Sequence, residues 1–460
     1  MVTRREFLIG AGATATLPFL GSAFAEEKKP NFVFILTDDQ RFDAMSCAGH
    51  PFLRTPNMDR IAKEGARFTN AFVTIALCAP SRGCFLTGMY AHSHGVMNNG
   101  TPFNDDVPTF PQALQKAGYD TAFIGKWHMG SQEGPRPGFN RWVSFKGQGP
   151  YHDPLLNIDG ENKKVNGYMT DILTKYAVEW LNKPRSSPFC LYLAHKAVHG
   201  PFQPAVRHSK LYSDVKIPRP PSMTDTLEGK PDWVKLGMEQ GHDSKGALAS
   251  PEGFDLFIRD YNRTLMAADD SVGEVLETLE KLGVLDNTVI VFAGDNGYFQ
   301  GEHNRLDKRA MYEESIRIPF LMRYPKMIKP GTLIDGMVLN IDLCPTFLDL
   351  AGIPILETVQ GRSMRPLLKG RKHGWREEFL YEYFQEKGFP RTPTMTGVRT
   401  ERWKYVEYPE INDRSELYDL KNDPTELHNL IDDPKYASVL SDMKASLARL
   451  LKDTHYREAI

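Results

Sequence analysis

The chain has 460 residues, with 41% apolar and 25% charged side chains and a formal net charge of −2. That composition supports a large core and excludes a disordered chain. The near-zero charge gives no support for nonspecific nucleic-acid binding, although local positive clusters can still bind anions, and five cysteines are too few for a disulfide-held scaffold.

At the N-terminus, Arg4 and Arg5 precede the apolar run "FLIGAGATATLPFLG" and then "SAFA". This pattern predicts a twin-arginine export signal over residues 1–25, cleaved after Ala25. It implies handling by the twin-arginine export machinery and a periplasmic or secreted location. The alternative is a short membrane anchor, for which the run is brief and rich in Gly and Ala. No other stretch is long and apolar enough to span a bilayer. No stable membrane insertion is expected after cleavage, and no nucleic-acid partner.

Four apolar runs then end abruptly in polar residues. "NFVFILTDDQ" ends at Asp38 and Asp39, and "TAFIGKWHMG" at Lys126 and His128. "PFCLYLAHKAVHG" ends at His195 and His199, and "TVIVFAGDNG" at Asp295 and Asn296. Continuous apolar runs of this length suit strands buried on both faces of a parallel sheet. Between them, "TPNMDRIAKEG", "GYMTDILTKYAVEWL" and "YNRTLMAADDSVGEVLETLEKLG" carry helical spacing or caps. The alternation predicts an α/β fold with a large, mainly parallel sheet between helices. Ligands in such folds bind beyond the carboxyl ends of the strands, where all four polar clusters fall.

"LCAPSRGCFLTG" spans residues 77–88. Pro80 suits a first helical turn, which places Cys78 just outside a helix N-terminus, where the dipole favours negative charge. Cys190 and Cys344 lie in apolar runs and read as core residues. Residues 200–253, rich in Pro, Gly and charge, read as a surface excursion that shapes a substrate pocket. From about Gly361, "FLYEYF", "TGVRTERWKYVEY" and "ELYDL" read as short strands followed by a charged helix. The predicted organisation is therefore a catalytic domain over 26–360 and an α+β subdomain over 361–460.

Asp38, Asp39, Asp295 and Asn296 offer oxygen donors with no nearby cysteine ligand pattern. They suit a hard cation, Ca²⁺ before Mg²⁺. Arg82, Lys126 and Lys308 are candidate anion binders, with Lys308 placed at the start of a helix in "LDKRAMYEES". His128 and His199 are candidate acid–base groups. His195 fits a structural histidine.

"CAPSRGCFLTG" closely resembles the signature of formylglycine-dependent sulfatases, of the alkaline-phosphatase superfamily. "PNFVFILTDDQ", "GKWHMG", "GDNGYFQGEH", "DKRAMYEES" and "ELYDLKNDPTELHNL" look like the same family, in the same order. The resemblance implies that a maturation enzyme converts Cys78 to formylglycine, whose hydrate is the nucleophile. It implies Ca²⁺ held by Asp38, Asp39, Asp295 and Asn296, also touching the group at Cys78. Arg82 would hold the formylglycine hydroxyls, and Lys126 and Lys308 the sulfate oxygens. His199, beside the sulfate, would protonate the leaving alcohol. His128 would take the proton that collapses the covalent sulfate ester. "VMNNG", "NGYMTDILTKYAVEWL" and "GDNGYFQGEHNRLDKRAMYE" look most like glucosamine-6-sulfatases and bacterial polysaccharide sulfatases. The expected substrate is thus a sulfated carbohydrate, with a 6-O-sulfated hexosamine as one form. Two other readings stand beside it: a phosphonate or phosphodiester hydrolase of the same superfamily, and a non-catalytic glycan-binding relative.

Overall fold

The computed structural model describes residues 28–236 and 246–456. The export signal expected over 1–25 lies outside the described residues. The centre is a ten-stranded sheet. Its first strand, Asn31–Thr37, is buried at every position. Phe32, Phe34 and Leu36 enter one core, and Val33 and Ile35 enter the other. That alternation explains the unbroken apolar run: a strand covered on both faces has no polar side.

The first strand pairs in parallel with Phe189–Ala194 on one side and Thr288–Gly294 on the other. Asp120–Lys126 and Arg141–Phe145 continue the parallel block beyond Phe189–Ala194. Antiparallel strands flank it, Phe320–Arg323 on one side and the hairpin Leu155–Ile158 with Glu161–Lys164 on the other. The mainly parallel α/β architecture expected from the sequence is the one observed. Thr37 faces Gly294, and Leu36 faces Ala194. This register places Asp38, Asp295 and the turn after Ala194 at one rim.

Helices cover both faces. The longest, Pro251–Lys281, starts at Ser250, whose side chain accepts from Gly253 N. Asp269 on this helix caps a neighbour: its carboxylate accepts from Asn57 N and Met58 N at 3.2 and 2.8 Å. Helix Pro56–Glu64 therefore gets its cap from a distant residue, although Thr55 stands at the local cap position.

A second, antiparallel sheet of four strands spans Glu378–Tyr383, Met395–Thr400, Trp403–Glu407 and Glu416–Asp419, with helix Ala437–Asp453 after it. This is the smaller C-terminal α+β unit. Cys190 and Cys344 are buried, as expected, and all five cysteines are free thiols. Among the described residues, no helix is long and apolar enough to cross a membrane.

The excursion after the strand Phe189–Ala194 differs from expectation. It is not only a surface feature, because Ser222, Lys230, Trp233 and Val234 are buried. Lys230 Nζ donates to Tyr418 OH at 2.8 Å and to Glu426 O at 2.6 Å, between the rings of Tyr312 and Tyr418. The segment is a strap fixed to the C-terminal unit.

Candidate active site

Cys78 is the first residue of helix Cys78–Thr87, with Leu77 as its extended cap residue. It therefore lies inside the first turn, not just outside it as the proline suggested. Pro80 is in that turn as expected, because the first turn needs no intrahelical donors. The turn is instead satisfied from outside: Asn99 Oδ1 accepts from Ala79 N at 3.0 Å. All ten residues of the helix are buried, and it stops at Gly88, whose φ of 71° suits glycine.

Arg82 lies one turn below Cys78, on the same side of the helix. It donates to Asp295 through Nε and Nη2, and through Nη1 to Lys126 O at 2.6 Å. Cys78 Sγ lies 3.5 Å from Asp38 Oδ1. The Asp38 backbone is stitched to the next turn by Asp38 N to Ala197 O and Val198 N to Asp38 O, at 2.9 and 2.8 Å. That stitching brings His199 over the rim.

Asp38, Asp39 and Asp295 place carboxylate oxygens within 4.8 Å of one another, all buried. Lys126 bonds Asp38, and Lys308 Nζ reaches both oxygens of Asp39 at 2.5 and 2.6 Å. Asn296 Nδ2 donates to Asp39 Oδ1 at 2.8 Å, while Asn296 Oδ1 is buried with no hydrogen-bond partner among the described residues. A buried, unsatisfied amide oxygen beside three carboxylates is the donor set of a hard cation. The residues present fit such an ion. Three carboxylates and three basic side chains balance formally, so a divalent cation would leave an excess of positive charge suited to an anion.

The electrostatics follow from this crowding. Burial would push Asp38 up, but Lys126, His199, Arg82 and Lys308 outweigh it and hold the carboxyl well below its usual range. Asp39 is pushed up to about 7 by burial, against the pull of Lys308 and with help from Asp38 and Asp295. Asp295 is also raised, by burial and by Asp38. Burial and then Asp38 push the Cys78 thiol well above its ordinary value. Such a thiol is a poor nucleophile as it stands.

His199 Nδ1 donates to Gly200 O at 2.7 Å, which turns Nε2 toward Asp39, 3.7 Å from Oδ2. His128 takes a left-handed φ of 58°. Its Nδ1 is buried without a partner among the described residues. Burial first, then Lys126, push both imidazoles well below their ordinary value. His195 stands apart: burial pushes it to about 4, and neither ring nitrogen has a partner among the described residues.

Asp38, Asp39, Cys78, Arg82, Lys126, His199, Asp295, Asn296 and Lys308 are thus linked by direct contacts. Lys308 differs from expectation in its backbone. It lies on a loop after the short strand Leu306–Asp307, and the next helix is Glu313–Ile316. Left-handed φ values at Asp307 and Arg309 rule out a helix start there.

Three further residues support the site, two of them without any signal in the sequence. Gln148, in the turn after Arg141–Phe145, bonds Lys126 through Oε1. Tyr261 OH donates to Asp39 O and accepts from Arg41 N, both at 2.9 Å. Glu302 accepts from Arg41 Nη1 at 2.8 Å. The "GEH" triplet carried a signal for Glu302, whereas Gln148 and Tyr261 sit in segments with no local mark of function.

The chain resembles known proteins over most of its length. A family model described as Sulfatase matches residues 30–353, and one described as N-sulphoglucosamine sulphohydrolase, C-terminal, matches residues 301–453. An N-acetylglucosamine-6-O-sulfatase of Bacteroides thetaiotaomicron is 36% identical, over 93% of this chain and 87% of that protein. The human N-acetylglucosamine-6-sulfatase is 32% identical, over 81% of this chain and 71% of that protein. A solved structure described as a complex with its substrate, D-glucosamine-2-N,6-O-disulfate, superposes with a TM-score of 0.89 at 34% identity. It covers 94% of this chain and 99% of that one.

Proposed function

This chain belongs to the sulfatase family and hydrolyses sulfate esters of sulfated glycans, and on that premise we propose that its substrate is a glucosamine unit sulfated at O6. The likeness to the two N-acetylglucosamine-6-sulfatases and to the complex with the disulfated glucosamine supports this choice. The observation that carries the chemistry is the meeting of Cys78 with four buried oxygen-donor side chains and three cations at one sheet rim.

Cys78 Sγ stands where the oxygen of a formylglycine hydrate would lie, and that group would supply the oxygen nucleophile the raised thiol does not. Asp38, Asp39, Asp295 and Asn296 would hold the cation, Ca²⁺ by their all-oxygen character. The cation would supply Lewis-acid charge beside the nucleophile. Arg82 fixes the nucleophile's helix and points its guanidinium at the same corner. Lys126 and Lys308 hold the sulfate oxygens, exchanging carboxylate contacts for the anion. Charge fixed in advance in a buried site provides the largest share of such rate gains.

His199 donates the proton to the departing sugar oxygen. Its Nδ1–H is fixed on Gly200 O, so Nε2, which faces Asp39, is the nitrogen that would serve the substrate. A bound sulfate adds negative charge beside an imidazole that burial and the lysines hold low, which raises its proton affinity when substrate is present. His128 accepts a proton on the nucleophile's side. The arginine pair at the N-terminus supports action outside the cytoplasm.

The test is a panel of sulfated monosaccharides with matured protein. Hydrolysis of 6-O-sulfated glucosamine and its N-substituted forms should exceed that of 2-, 3- and 4-O-sulfated sugars. A preference for another position would overturn the substrate, and faster turnover of a phosphodiester would overturn the reaction.

A further inference from the structure

Lys308 is carried by backbone in an uncommon state. His303, Asn304, Asp307 and Arg309 take left-handed φ values of 50°, 54°, 82° and 84°. Residues with a Cβ hold such angles only where their surroundings impose them. The segment is a small hairpin, Phe299–Gln300 paired with Leu306–Asp307, with residues 301–305 at its tip and Lys308 directly after its second strand.

The strap grips that tip. His303 is buried, and its Nδ1 donates to Asp225 Oδ2 at 2.7 Å. His303 Nε2 has no partner among the described residues, so Asp225 fixes the ring, together with its packing on Tyr312 at 4.6 Å. Asn304 Nδ2 donates to Asp225 O at 3.4 Å, and Arg305 Nη2 to Val234 O at 3.1 Å. Asp225 is itself held by Leu227 N at 2.9 Å. On the far side of Lys308, Tyr381 OH donates to Arg309 O, and Arg309 Nε to Glu386 at 2.7 Å. Lys308 thus hangs between two clamps, and neither belongs to the central sheet. Among the described residues, the hydrogen bonds and ion pairs of Asp225 and His303 reach no carboxylate of the cation cluster.

We propose that Asp225 and His303 are positioning residues for Lys308: the buried pair pins the hairpin tip, and the two-strand ladder passes that constraint to the lysine that holds the sulfate. The strap between Ala194 and the long helix therefore acts on the reaction through the loop it grips, in addition to any contact with the glycan. This inference rests on the reading of Lys308 as a sulfate-holding residue.

The test is a double-mutant cycle on the matured, metal-loaded enzyme, with a sulfated sugar as substrate and inorganic sulfate as competitive inhibitor. Asp225→Asn keeps the shape and removes the charge. It should lower kcat/KM roughly tenfold to a hundredfold, as small misplacements of a reacting-site group do, and raise the sulfate inhibition constant in parallel. In a Lys308→Ala background the same change should cost less than about twofold, because the group it positions is gone. Should Asp225→Asn lower the melting temperature, His303→Asn carries the same test with a residue that accepts the left-handed backbone. Equal losses in both backgrounds would overturn the proposal, and so would no loss with Lys308 present while Lys308→Ala is impaired. Undiminished activity of Lys308→Ala would overturn the sulfate role of Lys308 itself, and the positioning role with it.

Discussion

Arg82 donates twice to one oxygen of Asp295, from Nε at 3.0 Å and from Nη2 at 2.8 Å. Both side chains are buried, so the helix that carries Cys78 is stapled to the end of strand Thr288–Gly294. Arg82→Ala would remove both hydrogen bonds and untie the helix from the strand, at a cost of about 1–3 kcal/mol. Arg82→Lys keeps the charge without the planar fork. It should spare most of the stability yet lower kcat by roughly 10²-fold. Urea denaturation and steady-state kinetics on both variants separate the two effects, and a fully active lysine variant would remove the fork from the mechanism.

Chelation should abolish activity and lower the melting temperature, because a cation bound only by the folded state stabilises it. Ca²⁺ should restore both, and Asp295→Ala should lose both. Asp39, with its pKa near 7, carries a proton at and below neutrality that the cation must displace. Affinity should therefore rise as pH rises through neutrality, with proton release seen by titration calorimetry in buffers of different ionisation heat. An active sample without stoichiometric metal by elemental analysis would contradict this.

His199→Ala should separate leaving groups. A sugar alkoxide needs a proton as the S–O bond breaks, and a nitrophenolate does not. General acid catalysis is worth ~10²–10⁴-fold, so the variant should lose about that factor on a sugar sulfate and little on nitrophenyl sulfate. His128→Ala should slow both substrates. Equal losses on the two substrates for His199→Ala would take it out of the acid role.

Another histidine, away from this site, contributes to the pH dependence of stability. His92 lies between two acceptors, with Nδ1 at 2.5 Å from Glu382 Oε2 and Nε2 at 2.9 Å from Thr454 O. Burial alone would lower its pKa, but the Glu382 carboxylate outweighs burial and raises it above 6.5. The folded state therefore holds this proton more tightly than the unfolded chain does. The stabilisation is complete below a pH of about 6.5, the unfolded value, and is lost as pH rises through the higher folded value. His92→Gln should flatten that part of the urea-midpoint profile. An unchanged slope would assign the linkage to other groups.

The fold was legible where burial is two-sided. Each of the four strand ends carried its polar cluster at the boundary the register requires, and Pro80 and Gly88 marked the cysteine helix. The helix start expected at Lys308 does not form: "DKRAMYEES" has good helix formers, but local propensity yields to the clamps on either side of the loop. Gln148, Tyr261 and Asp225 act across chain separations that no local pattern encodes. The strap looked like a solvated loop because its charges find buried partners, such as Tyr418 and His303, only after the chain has closed.

Every residue of the helix Cys78–Thr87 is sealed from solvent, Cys78 included. The conversion proposed for that side chain therefore has a deadline, because no second enzyme can reach it once the two cores have closed. A molecule that folds first keeps its thiol for good. If the proposed conversion occurs, the active fraction of a preparation would be set during synthesis, by a race between the maturation enzyme and the closing chain, and storage would not improve it. Slower synthesis or a more abundant maturation enzyme would raise the yield of active protein without changing one contact in the finished fold.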